Sequence, residues 1–151
     1  MPSSVDRFLE LVLAQRGAPY IWGGKGETVK GERHSYRNTS GAPQLVFDCS
    51  GLITWALRQA GWRPVGEYNA HRMWKNFPRV DKPQAGDIIC YGTPEKANHV
   101  EVYLADGRAF GSIGGDSRTT APTPGKGVAY RTRPRRDVLG YVRNPLRDAD
   151  A

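Results

Sequence analysis

The chain has 151 residues, 38% hydrophobic and 25% charged, enough for one domain with its own core and unlike a disordered chain. Its 18 glycines and 11 prolines argue against an all-helical bundle, and its two cysteines, Cys49 and Cys90, exclude a disulfide framework and a four-cysteine zinc site. Lysine and arginine number 22 against 15 acidic residues, a net charge of +7 that attracts polyanions without choosing among nucleic acid, an anionic membrane and an anionic wall polymer.

The first element is a helix, because Val5, Phe8, Leu9, Val12 and Leu13 form one apolar stripe. Ser3 or Ser4 caps it and Gly17 ends it. Acidic residues interrupt this stretch and no basic leader precedes it, so it is not read as a signal peptide. No apolar run reaches the roughly 18 residues of a membrane helix. Ala18 to Gly24 reads as a tight turn against packed aromatic rings, and 25–45 as a long loop inserted in a single domain spanning 1–151. A second helix is predicted from Asp48-Cys49-Ser50 to Gly61, with Cys49, Leu52, Ile53, Ala56, Leu57 and Ala60 on one face. Asn69 caps a short third helix that turns Ala70, Met73 and Trp74 inward and His71 towards solvent. From Gly86 the period becomes two. Strands are expected at Asp87 to Tyr91, His99 to Leu104, Ala109 to Ile113, Val128 to Arg131 and Val138 to Arg143, with an Asp106-Gly107 hairpin turn. The tail from Arg147 is expected to fray. Helices followed by antiparallel strands define an α+β domain.

Cys49 is the first chemical candidate. It starts a helix, where the partial positive charge of the N-terminus stabilises a thiolate. Cys90 lies in an apolar strand and reads as structural. A thiol nucleophile needs a base, and the chain has three histidines, His34, His71 and His99. His99, at the start of a strand, is the best placed of them. A third group should orient the imidazole. Glu101, which shares a strand face with His99, and Asp116, after the return strand, are the two acidic candidates. No Cys/His cluster has metal-ligand spacing, so neither metal nor cofactor is expected. Gly23-Gly24-Lys25-Gly26 lacks the phosphate-loop spacing. The run Arg131 to Arg136 lacks the aromatic stacking array of a nucleic-acid binder and fits a solvated loop or docking to an anionic polymer.

These residues fall into a pattern. Gly17-Ala18-Pro19-Tyr20-Ile21-Trp22-Gly23-Gly24, Phe47-Asp48-Cys49-Ser50-Gly51-Leu52, Gly86-Asp87-Ile88-Ile89 and Asn98-His99-Val100-Glu101-Val102-Tyr103 occur in that order. With them the chain resembles the NlpC-type cell-wall cysteine peptidases of the papain-like superfamily. The resemblance implies N-terminal helices packed on a mostly antiparallel sheet of five to six strands. It implies a cysteine endopeptidase cutting the stem peptide of peptidoglycan, at the bond between D-glutamate and a diamino acid. Cys49 would be the nucleophile and His99 the base. Tyr20, Asp48 and Ser50 would line the substrate site, and the Cys49 N–H with the Tyr20 hydroxyl would hold the oxyanion. Family members often carry a polar third residue about twelve positions after the histidine; here that position is Gly111, which leaves Glu101 or Asp116 for the role.

The expected partner is bacterial peptidoglycan, bound by a monomer without nucleic acid or an integral membrane anchor. The protein is expected to be made in a host cytoplasm and to reach the wall as a phage endolysin through a pore, or as an injected effector. The alternatives are an N-acetylmuramoyl-L-alanine amidase of the CHAP type and a non-enzymatic basic protein that binds wall or nucleic acid.

Overall fold

The computed structural model describes residues 3–28, 44–64 and 66–150. Helix α1, Ser4–Ala14, opens with a reciprocal cap: the Ser3 hydroxyl accepts from the Asp6 N–H and the Asp6 carboxylate accepts from the Ser3 N–H. It buries Val5, Phe8 and Val12. Strands β1, Lys25–Thr28, and β2, Leu45–Phe47, pair antiparallel. Helix α2 follows at Cys49–Gln59 and α3 at Ala70–Asn76. The remaining strands are β3, Arg79–Val80, β4, Ile88–Thr93, β5, Lys96–Tyr103, β6, Ala109–Ile113, β7, Gly127–Arg131, and β8, Val138–Val142. A short helix α4, Leu146–Asp150, follows them.

β3 to β8 form one six-stranded sheet in the order β3-β8-β4-β5-β6-β7, every neighbouring pair antiparallel. Strand alternation gives the sheet two buried surfaces. Ile88, Cys90, Val100, Val102, Phe110, Val128 and Val142 join Phe8, Leu52, Ile53, Leu57 and Met73 of the helices in the main core. Ile89, Tyr91 and Ala109 form a second, smaller cluster with Tyr103, Val138 and Tyr141. The sequence therefore folds as the expected α+β architecture.

Four expectations are corrected. The segment 25–45 is not a plain loop: its two ends pair as β1 and β2, while 29–43, with His34, lie outside the described residues. β5 begins at Lys96 rather than His99, because β4 and β5 meet in a tight hairpin at Pro94-Glu95. His71 does not simply face solvent, since its Nδ1 accepts the Ala97 N–H at 3.1 Å and ties α3 to β5. The tail is anchored at its start: Leu146 is buried, and Arg147 pairs with Asp87 at 2.9 Å and donates to the Ala85 carbonyl.

Candidate active site

The thiol is positioned by a strand-to-helix turn. β2 ends at Phe47, the Asp48 N–H donates to the Gly24 carbonyl, and Cys49 is the first residue of α2. Asp48 is the N-cap: its carboxylate accepts the Gly51 N–H at 2.6 Å and the Ser50 hydroxyl at 3.4 Å. Burial pushes the Asp48 carboxyl up, against the pull of these donors. Cys49 is half-buried and free of any disulfide. Cys90 faces the main core, fully buried, and burial raises its thiol to about 12.

His99 of β5 meets Cys49 from the sheet. Its Nε2 lies 2.7 Å from Glu101 Oε2, and the ring lines the same cleft as the Cys49 thiol, near enough for the thiol to act on its protonation. Because Nε2 is engaged by the carboxylate, Nδ1 is the nitrogen left for the thiol. Burial alone would lower the imidazole; the interactions with Cys49 and Glu101 outweigh burial and raise it to about 9.

Glu101 is not a solvated strand residue. Its side chain is 0% exposed and both oxygens are engaged. Oε1 accepts the Tyr91 hydroxyl at 2.8 Å and Arg131 Nε at 3.1 Å. Oε2 accepts Arg131 Nη2 at 2.9 Å besides facing His99. Burial pushes this carboxyl up, but the bonds from His99 and Arg131 prevail and hold it at about 2. It is therefore a carboxylate at any pH near neutrality.

Tyr20 is buried beside the thiol, with its ring against Gly115, where a Cβ would fall 2.0 Å from the ring Cδ1. Burial, then the negative charges of Cys49, Asp48 and Asp116, push the phenol well above its ordinary value. It keeps its O–H as a donor. Asp116 sits on the same side but is spent on Arg118, at 2.9 Å, which holds it at about 2. Among the described residues no hydrogen bond joins Asp116 to His99.

Tyr20, Asp48, Cys49, Ser50, His99 and Asp116 all line one open cleft of about 970 Å³. Its cationic rim comprises Lys25, Lys96 and Arg135. Trp22, 57% exposed, is the single large hydrophobic exposed among the described residues, and it lies at the cleft. Sequence reasoning passed over Trp22, and over Tyr91 and Arg131. Arg131 belonged to a basic run read as a solvated loop or a dock for anionic polymer; instead it is committed to Glu101, and Arg135 to Asp137.

A thiol at a helix N-terminus, facing a histidine on an antiparallel sheet, is the arrangement of the papain-like proteins. The chain belongs to the NlpC/P60 family, whose sequence profile matches residues 17–136. It is 35% identical over 121 residues to the peptidoglycan endopeptidase RipB of Mycobacterium tuberculosis, covering 78% of this chain and 46% of RipB. It is 30% identical over 111 residues to the bifunctional muramidase/DL-endopeptidase CwlT of Bacillus subtilis, covering 71% of this chain and 29% of CwlT. The chain thus spans less than half the length of these relatives. Among solved structures, RipD of Mycobacterium tuberculosis, a non-catalytic NlpC/p60 domain protein adapted to peptidoglycan binding, superposes with a TM-score of 0.69 at 25% identity over 96% of this chain and 99% of that one.

Proposed function

We propose that the protein is a cysteine endopeptidase that hydrolyses the stem peptide of bacterial peptidoglycan, at the bond between D-glutamate and the diamino acid. The observation that carries this reading is the placement of the Cys49 thiol in one cleft with an imidazole whose Nε2 is held by a buried carboxylate. A protein that only bound the wall would have no use for that arrangement.

The chemistry is acyl transfer. His99 takes the Cys49 proton, and the thiolate attacks the stem-peptide carbonyl. The oxyanion accepts from the Cys49 N–H, which at the start of α2 has no hydrogen-bond partner among the described residues, and from the Tyr20 hydroxyl. The imidazolium protonates the leaving amine, and the peptide bond breaks to leave a thioester on Cys49. His99 then deprotonates a water that attacks the thioester, and the thiol returns with its proton. Glu101 acts through His99: it accepts from Nε2, keeps Nδ1 towards the thiol and stabilises the imidazolium. Asp48 fixes the start of α2, and Ser50 and Trp22 border the bound peptide. The reaction needs neither metal nor cofactor, and a monomer contains the whole cleft.

Digestion of purified peptidoglycan, read by mass spectrometry, tests the proposal. Fragments cut within the stem after D-glutamate are expected, and none with Cys49→Ala. Whole stem peptides freed from the sugar would make the protein an amidase. Fragments released equally by Cys49→Ala would overturn the reading, and an intact wall in both cases would place the protein with non-catalytic binders.

A further inference from the structure

The acyl-transfer mechanism uses Glu101 but leaves unused the two groups that hold it. We infer that Arg131 and Tyr91 are positioning residues of the active site, fixing the Glu101 carboxylate in the orientation that aligns His99 with Cys49. This rests on the thiol-peptidase reading and deepens it.

Three side chains from three strands converge on one carboxylate: His99 from β5, Arg131 from β7 and Tyr91 from β4. Arg131 donates through Nε to both oxygens, at 3.1 and 3.2 Å, and through Nη2 to Oε2 at 2.9 Å. Tyr91 ties Oε1. With both oxygens held, the carboxylate cannot turn away from Nε2. Burial and the neighbouring Glu101 charge push the Tyr91 phenol up, so it remains a donor.

The reach of Arg131 depends on β6, which lies between β5 and β7. Arg131 is registered against Ala109, and Ala129 against Gly111. A Cβ on Gly111 would lie 3.1 Å from Glu101 Cγ. Small residues on β6 therefore leave the space in which the glutamate and the arginine meet. Stability alone is a poor reason for such a cluster, because a buried ion pair gains little over an apolar replacement. Its place directly behind the imidazole is what a positioning role requires. Among the described residues, the other titratable or charged groups facing the cluster are Cys49 and Arg135, which lies 5.0 Å over the Tyr91 ring and pairs with Asp137.

Kinetics on a soluble stem peptide, with NMR titration of His99, test the inference. Arg131→Met, Arg131→Lys and Tyr91→Phe should each lower kcat and leave KM unchanged, because neither residue lines the cleft. The expected losses are about 10²-fold for Arg131→Met and about tenfold for Tyr91→Phe. Removing the cation should also let His99 hold its proton to a pH about one unit higher in Arg131→Met. Arg131→Lys keeps the charge and loses the two-pronged grip, so its titration should stay near that of the wild type while kcat recovers only in part. In a Glu101→Gln background, Arg131→Met should cost nothing further in kcat. The inference is overturned if a folded Arg131→Met leaves kcat and the His99 titration unchanged. Should Arg131→Met fail to fold, wild-type kcat in both Arg131→Lys and Tyr91→Phe overturns it instead. The His99 titration needs no turnover, so a shifted titration in a protein that cuts no stem peptide would retain the cluster and reject the peptidase reading.

Discussion

Two buried carboxylates flank the β4–β5 hairpin, Asp87 before its first strand and Glu101 within its second, and each pairs with an arginine at 2.9 Å. The rest of their company differs. Asp87 accepts the backbone N–H groups of Gln84 and Asn144, at 2.8 and 3.1 Å, and with Arg147 it staples the end of the chain to the start of the hairpin. Among the described residues Glu101 accepts only from side chains, and one of them is a titratable imidazole that shares the cleft with a thiol. The same ion pair thus serves tethering in one place and, under the proposed mechanism, catalysis in the other. What separates the two is the set of groups that share the carboxylate.

Substitution should split the pair. Glu101→Gln keeps the shape and removes the charge that stabilises the imidazolium, so kcat is expected to fall about 10³-fold in a folded protein. Asp87→Asn should leave kcat near wild type and cost about 3 kcal/mol of stability in a urea titration, because it strands a partly buried arginine. If Asp87→Asn lost activity without loss of stability, or Glu101→Gln lost only stability, the contrast would fail. Tyr20→Phe should lower kcat about 10²-fold through loss of one oxyanion donor, with KM little changed; wild-type kcat would remove Tyr20 from that role.

The pH dependence of stability sharpens the same contrast at smaller amplitude. The Glu101 carboxyl is lowered from 4.5 to about 2, so the stability it contributes is present above pH 4.5 and is lost as the pH falls towards 2. His99 is raised from 6.5 to about 9, so its contribution is complete below pH 6.5 and is lost as the pH rises through 9. Thermal melts should therefore peak between pH 4.5 and 6.5, and Glu101→Gln should flatten the alkaline fall. A wild-type alkaline slope in that variant would show that the His99–Glu101 pair does not couple to folding.

The helices were legible because each carries a strong local signal. Ser3, Asp48 and Asn69 cap α1, α2 and α3, and their apolar faces repeat with the helical period. The long strands were legible by alternation, and so was the coming together of Cys49 and His99, since a helix start and a strand are the places where a thiol and its base are presented. β1 and β2 were not, because strands of four and three residues carry too short a pattern and their partners lie across a long segment. β3, with two residues, is defined only by its pairing to β8. The burial of Glu101 was not legible, because the cation that allows it lies 30 residues away in a run that reads as surface charge. Charge pairing across three strands leaves no periodic trace in a sequence.

The proposed mechanism stands or falls on the activation of Cys49 by His99. The decisive quantity is the rate of Cys49 alkylation by iodoacetamide, compared at neutral pH in the wild type and in His99→Ala and located by peptide mapping. Fast modification of Cys49, none of buried Cys90, and a large loss of rate in His99→Ala are expected. Equal, slow alkylation of Cys49 with and without the histidine would contradict the mechanism.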